Sequence, residues 1–324
     1  MRKTTGIVVA SALLLTLSAC AGASGPVLDG GSAVDPASCT PSWARGGLAL
    51  DVEATGDFGA TPVAATFPDP FVSKNSVSTA ILEQGDGAQL GTDAIVGGTM
   101  TIFDGATGDV LTQTQSTTLI PLGSANAPFF DGAECATVGS RVVAVGPALA
   151  LLGDAITSQN SIDPEMTVVS VLDIQRAYIT RAQGASQAPQ NGLPTVSHAA
   201  NGQPGLSFTN AKAPTDLRIE TLIAGNGTTV KEGDNVLLNY TGVIWDTHDV
   251  FDSSWDRGAP ASFTTDQVVE GFSKALIGHT VGSQVLTTVP PEFGYGDSPP
   301  DGSGIKADST LVFVIDILGV LPPV

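Results

Sequence analysis

Along most of the chain, short runs of β-branched and aromatic residues alternate with stretches rich in glycine and proline. Leu311-Val312-Phe313-Val314-Ile315 is one such run and the segment around Asn239-Tyr240-Thr241-Gly242 is another. Apolar runs bounded by turn residues predict strands rather than long helices. Two lead-in segments, Phe58-Gly59-Ala60-Thr61-Pro62 and Gly202-Gln203-Pro204-Gly205, are each followed by alternating apolar residues, and each predicts an extra N-terminal strand. Of 324 residues, 42% are hydrophobic and only 14% charged, enough material for two cores of mostly β structure.

The pattern also repeats. A shift of 143 positions lays Val281-Gly282-Ser283-Gln284-Val285 on Val138-Gly139-Ser140-Arg141-Val142, Pro290 on Pro147, and Gly296-Asp297 on Gly153-Asp154. It also lays Ile305 on Ile162 and Asp316-Ile317 on Asp173-Ile174, with no gap from Phe272/Phe129 onward. Upstream the register slips by one or two residues, where Asn226-Gly227 and Lys231-Glu232-Gly233-Asp234 echo Asp86-Gly87 and Leu90-Gly91-Thr92-Asp93. A tandem duplication accounts for this. The copies differ at aromatic positions: Tyr240 aligns with Thr99, Phe251-Asp252 with Leu111-Thr112, Tyr295 with Leu152 and Phe313 with Ser170. Turn glycines and β-branched residues survive while the aromatics do not, so the first copy is expected to keep the fold and lose any pocket.

Met1-Arg2-Lys3, an apolar run from Ile7 to Leu17 and Leu17-Ser18-Ala19-Cys20 read as a secretory leader, too short for a permanent membrane span. Leu-Ser-Ala-Cys also resembles a bacterial lipobox, which implies lipidation of Cys20 as the mature N-terminus; an ordinary secretory leader is the alternative. Cys39 and Cys135 remain, an even pair in an exported chain, and a disulfide between them is expected, with two buried thiols as the alternative. A loop of that length corresponds to roughly 4 to 5 kcal/mol in chain-entropy treatments. The formal charge of −19 disfavours nucleic acid and anionic headgroups, leaving the lipid to hold the chain at the membrane. His198, His248 and His279 lack neighbours at metal-ligand spacing, so no metal is expected. No phosphate-binding loop of the Gly-x-x-x-x-Gly-Lys type and no Gly-x-Ser-x-Gly elbow occurs.

Toward the C-terminus an ordered series of motifs stands out. Asn239-Tyr240-Thr241-Gly242 is followed by Val250-Phe251-Asp252-Ser253-Ser254, Val268-Val269-Glu270-Gly271-Phe272 and Leu276-Ile277-Gly278. Then come Val281-Gly282, Phe293-Gly294-Tyr295-Gly296 and the strand Ser309 to Asp316. In order and spacing these closely resemble an FKBP-type peptidyl-prolyl cis-trans isomerase, from about Gly225 to Leu318. The resemblance implies an α+β fold, with two FKBP-like domains, each a strongly bent antiparallel β-sheet wrapped around one short α-helix. The expected organisation is a leader over 1–19, a lipid-anchored tether over 20–49, and a degenerate domain over 50–182. A linker over 183–190 and an isomerase domain over 191–324 complete it.

The resemblance further implies that Tyr240, Phe251, Val268, Val269, Phe272 and Phe313 line a proline pocket, with Phe272 as its floor and the Val269 N–H gripping the chain after the proline. Phe263 is expected to join them. Asp252 stands at the edge, held by Tyr240 and Arg257, where its field favours polarisation of a rotating carbonyl. Tyr295 would lie over the cleft with its hydroxyl free to donate, and Ile305 would cap it. Two departures from the family pattern bear on ligands: Phe272 stands where many members have Trp, and Ala261 replaces an aromatic, which lowers one wall and bears on macrolide inhibitor binding. No cofactor is required. The expected partners are proline-containing unfolded or exported polypeptides, and the expected location is extracytoplasmic, lipid-anchored to the cell membrane. The alternative is a non-catalytic client- or partner-binding lipoprotein, which need not retain Tyr240, Asp252 and Tyr295 together; a purely structural lipoprotein is a further one.

Overall fold

The computed structural model describes residues 39–322, apart from 70, 74–75, 125–127, 189–191 and 209–211. Cys20, the expected leader and most of the expected tether lie outside the described residues.

Seven strands form the first sheet: Ala44–Arg45 (β1), Ser78–Glu83 (β2), Ile95–Asp104 (β3), Val110–Gln113 (β4), Thr118–Pro121 (β5), Arg141–Pro147 (β6) and Thr167–Tyr178 (β7). Seven more form the second: Ala185–Ser186 (β8), Arg218–Ala224 (β9), Asn235–Ile244 (β10), Val250–Ser253 (β11), Ala261–Thr264 (β12), Gln284–Val289 (β13) and Leu311–Leu321 (β14). The first runs β1-β2-β6-β7-β3-β4 with β5 also on β3; the second runs β8-β9-β13-β14-β10-β11 with β12 also on β10. The two orders are the same path taken twice, so the duplication is one of fold as well as sequence.

The repeated Val-Gly-Ser motif has a physical cause. Gly139 and Gly282 both adopt φ of 91°, a left-handed conformation that favours glycine. The Gly139 N–H donates to Ile174 O and the Gly282 N–H to Ile317 O, at 2.7 and 2.8 Å. The following serines accept from Gly85 N and Gly225 N at 2.9 and 3.0 Å.

The expectation of a strongly bent sheet wrapped around one short helix is overturned. Both sheets are open paths, neither closed nor strongly curled. The β1–β2 edge pair is parallel rather than antiparallel. The second domain has two helices, Ser254–Arg257 (α2) and Glu270–Leu276 (α3), and the first has a 12-residue helix, Ala148–Gln159 (α1), interrupted at Gly153. The reason lies in how the sheet faces are covered. The central strands β3 and β14 are buried along almost their whole length, on both faces. In the first domain Val142, Ala144, Val168 and Leu172 pack with Phe129, Phe130, Leu151 and Leu152, while Val143, Val145, Val169 and Val171 face Val52, Val63 and Phe71. The second layer is a two-stranded hairpin, Glu53–Thr55 with Ala64–Thr66, and its counterpart in the second domain is Thr195–His198 with Pro204–Ser207. Each lead-in segment thus belongs to a hairpin rather than a single added strand. A sheet covered on both faces has no need to curl around a helix.

The Cys39 and Cys135 sulfurs are bonded, closing a separation of 96 residues and tying the start of the described chain to the first domain. Gln183, in the expected linker, donates from its N–H to Gly282 O, and β8 joins the edge of the second sheet. Tyr178 and Ile179, at the end of β7, are buried in the second core. A Cβ on Gly319 would run into the Tyr178 ring.

Candidate active site

The second domain holds a cavity of about 450 Å³ lined by Tyr240, Phe251, Asp252, Phe263, Gln267, Val268, Val269, Phe272, Tyr295 and Phe313. Nine of these ten are residues expected from the sequence; Gln267 carries no signal that would have marked it. Ile305 is not among them: it is buried in the core. Arg257 stands outside the lining and acts on it through Asp252 and Tyr240.

Local structure explains how each ring is aimed. On β10, Tyr240 and Gly242 point the same way, as alternate residues of a strand must. A Cβ on Gly242 would lie 2.7 Å from the Phe251 ring and 3.0 Å from that of Phe313, so glycine is what lets these rings meet edge-on, with centroids 5.6 Å apart. Tyr240 is pinned through its backbone: its N–H donates to Ser254 Oγ at 3.0 Å, and that hydroxyl donates to Asn239 Oδ1 at 2.9 Å. Ser253 caps α2 by accepting from Asp256 N, and Gly258 ends it at φ of 71°. This turn carries Arg257 back toward Asp252.

The floor comes from α3. A Cβ on Gly271 would meet Val289 Cγ1 at 2.5 Å, so the missing side chain lets the helix settle on β13 and places Phe272 beneath the cavity. Phe272 meets Phe313 at 5.0 Å, Tyr240 at 5.9 Å and Phe263 at 6.0 Å, all near perpendicular. Such edge-to-face packing fixes ring positions beyond what burial alone provides. Among the described residues the N–H of Val269, at the start of this helix, has no hydrogen-bond partner.

One side of the rim is polar. The Tyr240 hydroxyl donates to Asp252 Oδ2, Arg257 Nη1 donates to Asp252 Oδ1, and Arg257 Nη2 donates to the Tyr240 oxygen at 3.1 Å. The Arg257 guanidinium also lies 5.5 Å from the centre of the Tyr240 ring. Burial, and then the Asp252 carboxylate, push the Tyr240 phenol up to about 12. Tyr295 shifts the same way, through burial first and the charge of Asp252 second, which places it in electrostatic reach of that carboxylate. Both hydroxyls therefore keep their protons at neutral pH. Among the described residues no group of three or more His, Cys, Asp or Glu side chains is placed to hold a metal ion.

An aromatic cavity with a single carboxylate, no nucleophile and two protonated phenols suits binding of an uncharged, weakly polar group. The sequence signature described as FKBP-type peptidyl-prolyl cis-trans isomerase matches residues 226–318. A probable FK506-binding protein of Corynebacterium glutamicum is 38% identical over 117 residues, 36% of this chain and 97% of that protein. The FK506-binding protein of Streptomyces anulatus is 33% identical over 120 residues, again 36% and 97%. The FKBP-type peptidyl-prolyl cis-trans isomerase FkpA of Escherichia coli K12 is 31% identical over 151 residues, 45% of this chain and 55% of that protein. The chain belongs to the FKBP-type peptidyl-prolyl cis-trans isomerase family, and it carries the FKBP-like fold twice.

Proposed function

We propose that residues 191–324 catalyse isomerisation of X-Pro bonds in exported polypeptides. Residues 50–182 stand between this domain and a lipid on Cys20, at the outer face of the cytoplasmic membrane. The observation that carries the catalytic part is the aromatic cavity with Asp252 held at its rim by Tyr240 and Arg257.

Rotation about a peptide bond is slow because it breaks amide resonance, with a barrier of about 18–20 kcal/mol. In the twisted amide the carbonyl and nitrogen are no longer conjugated, and the group is less polar than the planar one. An apolar cavity walled by Tyr240, Phe251, Phe272 and Phe313 accommodates the proline ring and favours that twisted form over the planar one. The Asp252 field acts on the carbonyl as it rotates, and Arg257 and Tyr240 hold that carboxylate in place. The Tyr295 hydroxyl donates to a substrate carbonyl, and the Val269 N–H holds the chain beyond the proline. The same cleft offers a macrolide its apolar floor, with less contact on the side of Ala261.

The test is the isomerisation rate of a short X-Pro peptide with the intact chain beside a Tyr240→Ala, Asp252→Ala double variant. A loss of roughly 100-fold in kcat/KM is expected, the scale of removing a preorganised electrostatic group. Equal rates would assign the chemistry elsewhere. No acceleration by the intact, folded chain would leave a binding protein in place of an enzyme.

A further inference from the structure

The first domain was expected to have lost its pocket, yet a cavity of about 520 Å³ remains there, lined by residues including Met100, Ile102, Leu111, Thr112, Phe129 and Ile162. Strand register shows that this is the same place in the fold. Asp316 faces Asn239 and Asp173 faces Thr99, so the position of Tyr240 is held by Met100, not Thr99. Gly242 faces Phe313 and Ile102 faces Ser170. In the second domain two rings converge over a glycine; in the first, Ile102 grows from the glycine position while Leu111 and Ser170 replace the rings. Volume removed from two positions is returned at a third, and the cleft persists with Phe129 at the Phe272 position.

The chemistry has changed more than the shape. Thr112 stands in place of Asp252, and none of the lining residues is ionisable. Leu152, in the position of Tyr295, is fully buried in the core. Ser170 lies on the cleft side of β7 with Val168 and Leu172, and its buried hydroxyl has no hydrogen-bond partner among the described residues. Lining residue Leu111 and its neighbour Val110 are exposed on edge strand β4, which among the described residues pairs only with β3. Asp109 and Asp163, next to this exposed stretch and to Ile162, are exposed and have no cationic partner among the described residues.

We infer that this cleft is a second, chemically inert polypeptide site, which takes a bulky apolar side chain from an extended segment flanked by lysine or arginine. The uncharged lining selects the apolar side chain, the exposed carboxylates of Asp109 and Asp163, adjacent in sequence to Val110 and Ile162, select the basic flanks, and the open edge of β4 accepts extended backbone. Proline is not required, because nothing in this cleft acts on a rotating carbonyl. The inference does not depend on catalysis by the second domain.

The experiment uses the full chain with ¹³C-methyl methionine and the proline-free peptide acetyl-Lys-Leu-Phe-Leu-Lys-amide. The chain has three methionines, and only Met100 lines the cleft. The Met100 methyl signal should shift on titration while that of Met166 stays. Replacing both lysines of the peptide by glutamate should weaken binding at least tenfold. Leu111→Glu, at a partly exposed edge position, should weaken it to the same degree, whereas Phe251→Ala, which damages only the second-domain cleft, should leave it in place. An unmoved Met100 signal, or binding lost in Phe251→Ala and kept in Leu111→Glu, would overturn the inference. Neither result depends on the isomerisation rate, so failure here is separable from failure of the catalytic reading.

Discussion

The two domains share a strand path, a turn chemistry and a buried aspartate, but they hold that aspartate differently. In the first, Arg141 Nε and Nη2 donate to the two oxygens of Asp173 at 2.7 and 2.8 Å, and Gly56 O and Asp57 O accept from the same guanidinium. In the second, Gln284 stands in the arginine's place and donates to Asp316 Oδ1 at 2.7 Å, with the Ala182 N–H on Oδ2 at 2.8 Å. Where the guanidinium would lie, a cavity of about 230 Å³ opens among Arg181, His198, Ala199, Ala200 and Asp316. One scaffold therefore accepts an arginine-paired carboxylate or one held by uncharged hydrogen-bond donors at one point, and an aliphatic or aromatic cleft at another. What is held constant is backbone geometry; what varies is the side-chain filling, so long as volume and hydrogen bonds balance.

The strongest way to break the comparison is Arg141→Ala. It strands the buried Asp173 without its cation and should cost about 3–5 kcal/mol, read by urea unfolding with hydrogen exchange in β6 and β7. A loss below about 1 kcal/mol would mean that Asp173 is satisfied without the arginine. Next is Gly242→Ala, which forces a methyl against the Phe251 and Phe313 rings and should cost about 1–3 kcal/mol together with isomerase activity. Full activity in that variant would show that the ring pair is not tightly seated.

A smaller effect follows from Asp316, whose carboxyl is pushed above its ordinary range by burial, against the hydrogen bonds from Ala182 and Gln284 and the charges of His198 and Arg181. For an acid raised in the folded state, the stabilising contribution is full below the unfolded pKa and lost as pH rises through the folded one. Lowering the pH from neutral toward 3.8 should therefore relieve the second domain, and Asp316→Asn should lack this relief when urea midpoints are compared across that range. Identical pH profiles would show that the carboxylate is at ease when charged. The smallest effect is an expected constancy: with the Tyr240 phenol pushed up to about 12, the isomerisation rate should stay flat from neutral pH to pH 10. A fall within that window that is abolished by Tyr240→Phe would contradict it.

Much of the cavity lining in the second domain was legible because an ordered series of motifs resembles the FKBP pattern, and nine of the residues that resemblance implied meet around one cavity. The duplication was legible from Phe129 and Phe272 onward because Gly139 and Gly282 obey the same positive-φ requirement. The pairing of Tyr240 with Thr99 was one residue out. In a strand a slip of one moves a side chain to the opposite face, and sequence similarity across a gap does not resolve it, whereas the ladder that sets Asp173 opposite Thr99 does. Ile305 reads as a cap because it is the apolar residue of a polar loop; in the structure it is buried in the same core cluster as Tyr240, Phe272 and Phe313 but is not among the residues that line the cavity.

By itself the sequence determined much of the local chemistry: most of the strands and turns, which glycines need left-handed backbone, which copy keeps its rings, and that a Cys39–Cys135 bond was to be expected, which the structure then closed. Only the tertiary structure decided that the sheets stay open between a hairpin and helices, that Gln267 reaches the pocket, and that the first cleft survives. Those outcomes depend on side chains distant in sequence filling one shared volume. Ile102 compensates for Leu111 and Ser170 only because strand pairing brings the three together, and no local pattern encodes that sum.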